Sequence, residues 1–343
     1  MSSRKPPGQR PTLEAVAQLA GVGRGTVSRV VNDAPGVSAR ARSAVEAAIA
    51  ELRYVPNPAA RSLVTSRTDS IALVIPESES RLASEPYFSA VIRGVSTELA
   101  DTDMQLLLIL VRDGRERDRL IRFVEARRVD GVLLIAVHRD DPLPAFLETS
   151  GIPTVLAGRR SAAERLSHAR SDNQGGAEQA VRYLLGRGRT AVATITGPLD
   201  MDVGLSRLRG WRDAHTAEGH PAPDESLIAP GDFTEEGGRA AMRELLERRP
   251  DLDAVFAASD VMAAGALTVL RERKRRVPRD VAVIGFDDSI VARHTVPPLT
   301  SVNQPTEELG RAITRLLLDE INDPSAARRY LTLPTTLTHR ATV

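Results

Sequence analysis

The sequence predicts a small all-α headpiece followed by an α/β core of two doubly wound parallel-sheet lobes. Three short segments with helical spacing of apolar residues occupy residues 11–56. From Ile71 onward, short runs rich in Val, Ile and Leu alternate with amphipathic segments, the pattern of buried parallel strands covered by helices on both faces. The 275 residues after position 68 are enough for two such lobes.

The headpiece elements follow from their capping residues. Residues 1–10, rich in Pro, Arg and Ser, are expected to form a flexible arm. Thr12 is a good N-cap for a first helix, which Gly21 ends, and a second helix is expected from about 23 to 32. Ser38 caps a third helix. Two prolines at 56 and 58 then stop that helix, so residues 57–68 are predicted to be a linker containing a short helix that needs a partner to fold.

The core is expected to divide into two lobes near residues 167–172. We predict an N-lobe of about 69–168 and 300–323, and a C-lobe of about 169–299 and 324–343. The strand candidates are the runs IALVIP, MQLLLIL, VDGVLLIAV, IPTVLAG, AVATITG, LDAVFAAS and VAVIGFDD.

Charge and composition restrict the function. The net charge is only +1, but residues 1–68 carry +6 and the remainder −5, so the headpiece is expected to meet a polyanion. The absence of cysteine excludes disulfides, thiol catalysis and Cys-ligated zinc, and the six histidines lack metal-ligand spacing. We find no phosphate-binding loop, nucleophile elbow or zinc-protease motif, so catalysis, a cofactor and a metal are not expected. No apolar run is long enough for a membrane helix and no secretory signal precedes the headpiece, which predicts a cytoplasmic protein.

The first two headpiece helices have the helix-turn-helix pattern, with a glycine at the turn and apolar residues on the inner faces. The outer side of the second helix carries groups that can hydrogen-bond to bases and phosphates: Arg24, Gly25, Thr26, Ser28 and Arg29. The alternative is a solvated helix pair at a domain interface.

At these residues the sequence resembles the LacI/GalR family of bacterial transcriptional regulators. The shared motifs are V-A-x-x-A-G-V-x-x-x-T-V-S-R-V-V-N in the headpiece, E-L-x-Y-x-P-N at 51–57, D-N-x-x-G-A at 172–177, R-L-x-G-W at 207–211 and V-P-x-D-V-A-V-I-G-F-D-D at 277–288. The resemblance covers essentially the whole chain. It implies a core like that of periplasmic sugar-binding proteins and a homodimer on a palindromic, double-stranded operator. The family's base-reading positions correspond to Arg24, Gly25 and Arg29; its backbone contacts to Thr12, Thr26, Ser28 and Asn32; and its hinge helix to Asn57, Ala60 and the minor-groove wedge Leu63.

An effector site is expected where the strands end, because open parallel sheets bind ligands beyond their carboxyl ends. The candidates are Tyr87, Phe88, His138, Arg207, Phe233, Asp260 and Asp287. Arg207 and Asp287 match family effector contacts and Asp260 lies beside another; the rest are polar or aromatic residues near strand ends. Two alternatives remain open: Asp260 could only cap a helix, and Arg207 with Asp287 could be a structural ion pair. Trp211 is expected in the core rather than at the site.

Phrases such as G-V-G-R-G-T-V-S-R-V and P-G-D-F-T-E-E-G-G-R resemble the actinobacterial cellobiose-responsive repressors. The resemblance implies a repressor of sugar-utilisation genes that cellobiose or another β-glucoside releases from DNA. Other sugars and a purine corepressor remain alternatives within the family. Outside it, the alternatives are a periplasmic sugar receptor with the same core and an unrecognised α/β enzyme.

Overall fold

In the computed structural model the chain is described over residues 11–31, 34–55, 67–217 and 224–343. It divides between Thr68 and Asp69 into two compact units. The first unit contains three helices within its described residues: α1 (Leu13–Ala20), α2 (Arg24–Val31) and α3 (Ala39–Leu52).

The caps that the sequence predicts delimit these helices. The Thr12 hydroxyl accepts a hydrogen bond from the Ala15 amide at the start of α1, and the Ser38 hydroxyl accepts one from the Ala41 amide at the start of α3. Gly21 ends α1 in the left-handed conformation, with φ of 65°. Val16, Val27 and Val45, one from each helix, are completely buried and form the centre of a small core.

The second unit contains two six-stranded sheets. Its strands are β1 (Ser70–Ile75), β2 (Gln105–Leu110), β3 (Gly131–Leu134), β4 (Thr154–Ala157), β5 (Ser167–Ser171), β6 (Val192–Ile195), β7 (Ile228–Ala229), β8 (Ala254–Ala257), β9 (Ala282–Asp287), β10 (Thr300–Asn303), β11 (Tyr330–Leu333) and β12 (Thr336–Thr338). Its α-helices are α4 (Glu79–Ser84), α5 (Pro86–Leu99), α6 (Gly114–Glu125), α7 (Leu143–Ser150), α8 (Asn173–Gly186), α9 (Asp202–Ala217), α10 (Glu235–Arg248), α11 (Asp260–Glu272), α12 (Ile290–His294) and α13 (Thr306–Asn322).

The first sheet has the order β11-β5-β4-β3-β1-β2 and every pairing in it is parallel. The second has the order β12-β10-β9-β8-β6-β7, parallel except for the antiparallel pair of β10 and β12. Both faces of the first sheet are buried: along β1, Ile71, Leu73 and Ile75 pack on one side, and Ala72 and Val74 on the other. The predicted fold class, with two parallel α/β lobes, is confirmed.

The lobe boundaries differ from the prediction. Strand β10 belongs to the second sheet beside β9, whereas β11 belongs to the first sheet, where its Tyr330–Leu333 pairs with residues 168–171. Residues 300–303 are therefore in the C-lobe and 330–333 in the N-lobe, the reverse of our assignment. Helix α13 does pack on the N-lobe, against α5 and the first sheet. The chain thus crosses between lobes three times, at residues 171–173, 303–306 and 333–336.

Candidate functional site

The outer face of α2 is the candidate DNA-contacting surface of the first unit. Val27 and Val30 point into the headpiece core, which turns the opposite side of the helix outward. Arg24, Gly25 and Arg29 are exposed, and Thr26 and Ser28 are partly exposed on its flanks. Apart from its own helix, no described part of the chain lies within 4 Å of the position that a Cβ of Gly25 would occupy, so the backbone there is open to close approach. This face combines two guanidinium groups with two hydroxyls.

Arg24 also contacts the first helix. Its Nε lies 3.2 Å from Glu14 Oε1, with the two side chains 72% and 60% exposed. An ion pair this exposed contributes little to stability, so Arg24 can exchange Glu14 for another acceptor at low cost. Backbone and Thr12 hydrogen bonds, with Arg24 adding to them, lower the pKa of Glu14. The other predicted DNA contacts lie outside the described residues; they are Asn32, Asn57, Ala60 and Leu63.

The second unit contains a cavity between its two lobes, at the carboxyl ends of the strands. Its free space amounts to about 730 Å³, open solvent at its entrance included. Five of the seven predicted effector residues line it: Tyr87, Phe88, Arg207, Phe233 and Asp287.

Arg207 is the best-connected side chain of the cavity. It is 3% exposed, and its Nε donates to Asn173 Oδ1 at 2.9 Å while Nη2 donates to Gln304 Oε1 at 3.0 Å. Its Nη1 donates to the Ala258 carbonyl and lies 3.5 Å from Asp287 Oδ1. The guanidinium also stacks on the ring of Phe286, with 3.6 Å between its central carbon and the ring centroid. This network fixes the guanidinium in place at the cavity wall.

Two acidic groups of the cavity are shifted by burial. Burial raises the pKa of Asp287 to about 7, against the opposing effect of Arg207. Burial likewise raises the pKa of Glu85 to about 7, against the opposing effect of Arg81. Asp287 and Phe233 also have positive φ angles, of 110° and 68°, a backbone conformation that residues other than glycine adopt at a cost. Asp287 therefore combines a raised pKa with a strained backbone, and it lies beside the tightly held guanidinium of Arg207.

His138 does not line the cavity. Its Nδ1 lies 2.6 Å from Asp200 Oδ2, and its Nε2 lies 3.2 Å from Glu77 Oε1. The hydrogen bond to Glu77, with a further contribution from Asp200, raises the pKa of His138 to about 9. Because His138 follows a strand of the first lobe and Asp200 follows one of the second, this imidazole connects the lobes beside the cavity instead of facing into it.

Asp260 does not line the cavity either. It is fully buried at the first position of α11, where Ser259 rather than Asp260 caps the helix. Its Oδ2 accepts from the Ser289 amide at 2.7 Å and its Oδ1 from the Ser301 hydroxyl at 2.5 Å. Asp260 therefore holds the turn that follows Asp287, which explains why its side chain is directed away from the cavity.

Trp211 is fully buried, and its Nε1 donates to the Val192 carbonyl at 3.1 Å. As expected, it is a core residue.

Several polar residues on the cavity wall were not among our predictions: Arg81, Glu85, Arg170, Ser171, Asn173, Asp202 and Gln304. Three of them lie on or just after β5, whose S-H-A-R-S sequence lacks the apolar run by which strands were recognised. Its pairing with β4 is a tertiary contact that periodicity does not reveal. Arg159 also lines the cavity, and its position directly after the predicted strand run IPTVLAG is the reason to expect it there.

The lobes contact each other around the cavity. Arg159 Nε of the first lobe lies 3.1 Å from Asp202 Oδ2 of the second. The Arg81 guanidinium lies 5.4 Å from the ring centroid of Phe233, a cation–π contact between the lobes. With the contact of His138 and Asp200, these interactions hold the lobes together in this structure.

Neither a metal-binding cluster nor a helix able to span a membrane occurs in residues 11–31, 34–55, 67–217 and 224–343. Within these ranges, no group of three or more His, Asp or Glu side chains has the arrangement of a metal site. None of the helices described combines the length and the apolar character needed to cross a membrane.

Comparison with known proteins gives matches to both units. Residues 12–57 match the profile of bacterial regulatory proteins of the lacI family, and residues 181–343 match the periplasmic binding protein-like domain. The HTH-type transcriptional regulator CelR of Thermobifida fusca is 52% identical over 331 residues, 96% of this chain and 97% of that protein. The ribose operon repressor of Escherichia coli K12 is 35% identical over 96% of this chain and 98% of its own length.

Two solved structures are similar over nearly the whole chain. A complex of the transcriptional regulator CelR with cellobiose has a TM-score of 0.79 and 49% identity, and the match covers 97% of this chain and 100% of that one. A lac repressor dimer bound to operator and the anti-inducer ONPF has a TM-score of 0.85 and 28% identity, covering 97% and 99%.

Proposed function

The chain belongs to the LacI family of bacterial regulatory proteins, and from that premise we propose that it represses sugar-utilisation genes and is released from its operator by cellobiose. Members of this family bind operator DNA and small effectors. The relatives described above are named as regulators and repressors, which favours regulation over catalysis. Two finer statements are our proposal: that the effector is cellobiose, and that it releases the protein from DNA.

The observation that carries the proposal is the character of the cavity in a chain 49% identical to a cellobiose-bound regulator. A neutral sugar needs fixed hydrogen-bonding groups for its hydroxyls and an aromatic surface for its C–H faces. Phe88 and Phe233 supply apolar ring surface, while Arg207 and Asp287 supply a rigid donor and a rigid acceptor. These four residues, with Tyr87, are our proposed effector contacts.

On the DNA side, we assign base reading to Arg24, Gly25 and Arg29 on the exposed face of α2. A guanidinium can donate two hydrogen bonds to O6 and N7 of guanine, which gives sequence preference. Thr12, Thr26 and Ser28 flank this face and are assigned to phosphates. The positively charged N-terminal ends of the helices favour such contacts. A homodimer would present two such helices to the two halves of a palindromic operator.

Coupling between the sites requires that the effector prefer one arrangement of the lobes. An effector bound in the cavity contacts both lobes, since Tyr87 and Phe88 belong to the first and Arg207 and Phe233 to the second. It therefore stabilises the arrangement of the lobes in this structure, together with the pairs of Arg159 with Asp202 and His138 with Asp200. If DNA favours a different arrangement, effector and operator oppose each other through a shift in population.

Fluorescence anisotropy of a labelled palindromic operator tests the proposal. The full chain is titrated at near-physiological salt with and without cellobiose, with Arg24→Ala as the variant that should lose DNA affinity. We expect tight binding by the wild type and release by cellobiose. Binding to DNA should weaken steeply as salt is raised, because phosphate contacts release counterions.

Parallel titrations with maltose, ribose and a purine separate the alternatives within the family. Release by one of these instead of cellobiose would replace our effector and keep the regulator. Tighter DNA binding on addition of the purine would identify a corepressor. Absence of specific binding to any selected DNA would contradict the assignment of α2 and leave a sugar receptor as the better explanation.

A further inference from the structure

An acidic side chain lies beside the basic groups of the candidate DNA-contacting surface. Glu14, the second residue of α1, is exposed, and its Oε1 lies 3.2 Å from Nε of Arg24, the first residue of α2. The N-terminal residues of a recognition helix contact base edges. Any DNA that Arg24 contacts therefore lies next to a carboxylate as well. Because a carboxylate repels phosphates, its place in a headpiece with a surplus of positive charge needs a reason.

The Glu14 carboxylate is ionised and contributes little to the fold through Arg24. Hydrogen bonds from its own backbone amide and from the Thr12 hydroxyl lower its pKa, and Arg24 lowers it further. A carboxyl pKa below its ordinary value leaves the group charged at neutral pH. The pair of Glu14 with Arg24 is too exposed to stabilise the headpiece much. What the carboxylate can change is the way in which Arg24 meets DNA.

The atom that Glu14 contacts leaves the end of the Arg24 side chain free. A guanidinium has one N–H at Nε and two at each Nη, and pairs of these donors match O6 and N7 of guanine. With Glu14 at Nε, the two Nη groups stay available, so Arg24 can contact Glu14 and a guanine at the same time. A phosphate at the same end would bring its negative charge close to that of Glu14, whereas the guanine edge is neutral.

We propose that Glu14 is a specificity-determining residue: it holds Arg24 by Nε, so that the guanidinium reads a guanine in preference to a phosphate. The inference rests on the proposed function, since it requires that α2 contact bases. Glu14 thereby lowers the affinity for DNA in general and increases the difference between the right and the wrong base. Arg29 lies more than one turn further along α2 and should keep its own base preference when Glu14 is changed.

Fluorescence anisotropy of the full chain tests the role of Glu14 on three kinds of duplex. These are an operator selected by the wild type from a random pool, its single-base variants, and a scrambled sequence. The variant is Glu14→Gln, which removes the charge and keeps the shape. Glu46→Gln is the matched control, because it removes the same charge from an exposed position of α3.

We expect Glu14→Gln to bind the scrambled duplex about two- to fivefold tighter and to steepen the slope of log affinity against log salt by about one, because Arg24 gains a phosphate. At the operator position that Arg24 reads, discrimination against the wrong bases should fall about three- to tenfold. In an Arg24→Ala background the same substitution should leave discrimination unchanged, since the two residues act as one unit. The control should leave discrimination unchanged in the wild-type background.

Unfolding of the headpiece cannot imitate this result, because it would weaken binding to the operator and to the scrambled duplex together. Unchanged discrimination by Glu14→Gln would overturn the inference. So would an equal loss for Glu46→Gln, which would indicate net charge alone, or an equal loss in the Arg24→Ala background, which would indicate a contact that does not involve Arg24. Failure of the wild type to prefer any selected operator would instead refute the proposed function.

Discussion

Replacing Arg207 by methionine should destabilise the core by about 3–5 kcal/mol, the range measured when one partner of a buried ion pair is removed. Methionine fills much of the volume but donates no hydrogen bond. The substitution leaves Asn173 Oδ1, Gln304 Oε1 and the Ala258 carbonyl without their donor, and it leaves the Asp287 carboxylate without its counter-charge. These losses share one group, so their separate costs of about 1–3 kcal/mol each do not add.

Urea unfolding followed by tryptophan fluorescence measures this loss in the core unit alone. Trp211 is the single tryptophan of the 343 residues and is completely buried in that unit. Arg209→Met is the matched control, because Arg209 lies on the same helix with its side chain 47% exposed and its nearest carboxylate 3.7 Å away. The control should change the free energy of unfolding by less than about 0.5 kcal/mol. Adding Asp287→Asn to Arg207→Met should recover about 1–3 kcal/mol by removing the unpaired charge.

The pH dependence of the same variant has a definite sign. Burial already raises the pKa of Asp287 to about 7, above its unfolded value, so ionisation of Asp287 opposes folding and the folded state gains stability as pH falls through that value. Without Arg207 the pKa rises further. The deficit of Arg207→Met should therefore be larger at about pH 8 than at about pH 5.5. A loss below about 1 kcal/mol, or a deficit that grows on acidification, would refute the assignment of Arg207 as the counter-charge of Asp287.

Three further predictions concern the headpiece, the contact beside the cavity and the packing of the core. Arg24→Ala should cost about 1–3 kcal/mol of operator affinity and relax one base preference, measured by anisotropy on single-base operator variants; a uniform loss over all variants would indicate a phosphate contact instead. Asp200→Asn should lower the pKa of His138 from about 9 and weaken effector binding below that pH, because the protonated imidazole loses an anionic acceptor. A histidine NMR titration with an unchanged pKa would argue against the contact. Gly94→Ala should destabilise the core by about 1–3 kcal/mol, since the new methyl group would lie 2.0 Å from a carbonyl oxygen of α13, whereas Gly186→Ala, with nothing within 4 Å, should not. Equal urea midpoints for the two alanine variants would contradict that close helix packing.

Local rules predicted the elements whose signals are short in range. Thr12, Gly21 and Ser38 delimited the headpiece helices because capping depends on residues within one turn of the cap. Seven of the core strands were evident as apolar runs, and most of these strands are buried on both faces, where few polar positions are expected. Five of the seven predicted effector side chains line one cavity: the rule that ligands bind beyond the carboxyl ends of strands indicated its place, and the family resemblance indicated Arg207.

Pairing between distant segments was decided only by the tertiary structure. The exposed strand β11 and the polar strand β5 carry no apolar run, and their mutual pairing places residues 330–333 in the lobe opposite to the one predicted. Periodicity indicates whether a strand is buried, but it does not predict which strand pairs with it. The topology, not composition, therefore determined where the chain crosses between lobes.

The direction of individual side chains was also determined only by the tertiary structure. His138 and Asp260 follow strands as other site residues do, yet one contacts Asp200 and the other holds the turn at Ser289. Ser171 lies on the cavity wall although nothing local marks it. The sequence by itself determined the family, the headpiece helices, seven of the core strands and the end of the sheets where the cavity lies. Which side chains face that cavity depended on partners far away along the chain, because a polar group turns toward the nearest opposite charge or hydrogen-bond partner that folding brings to it.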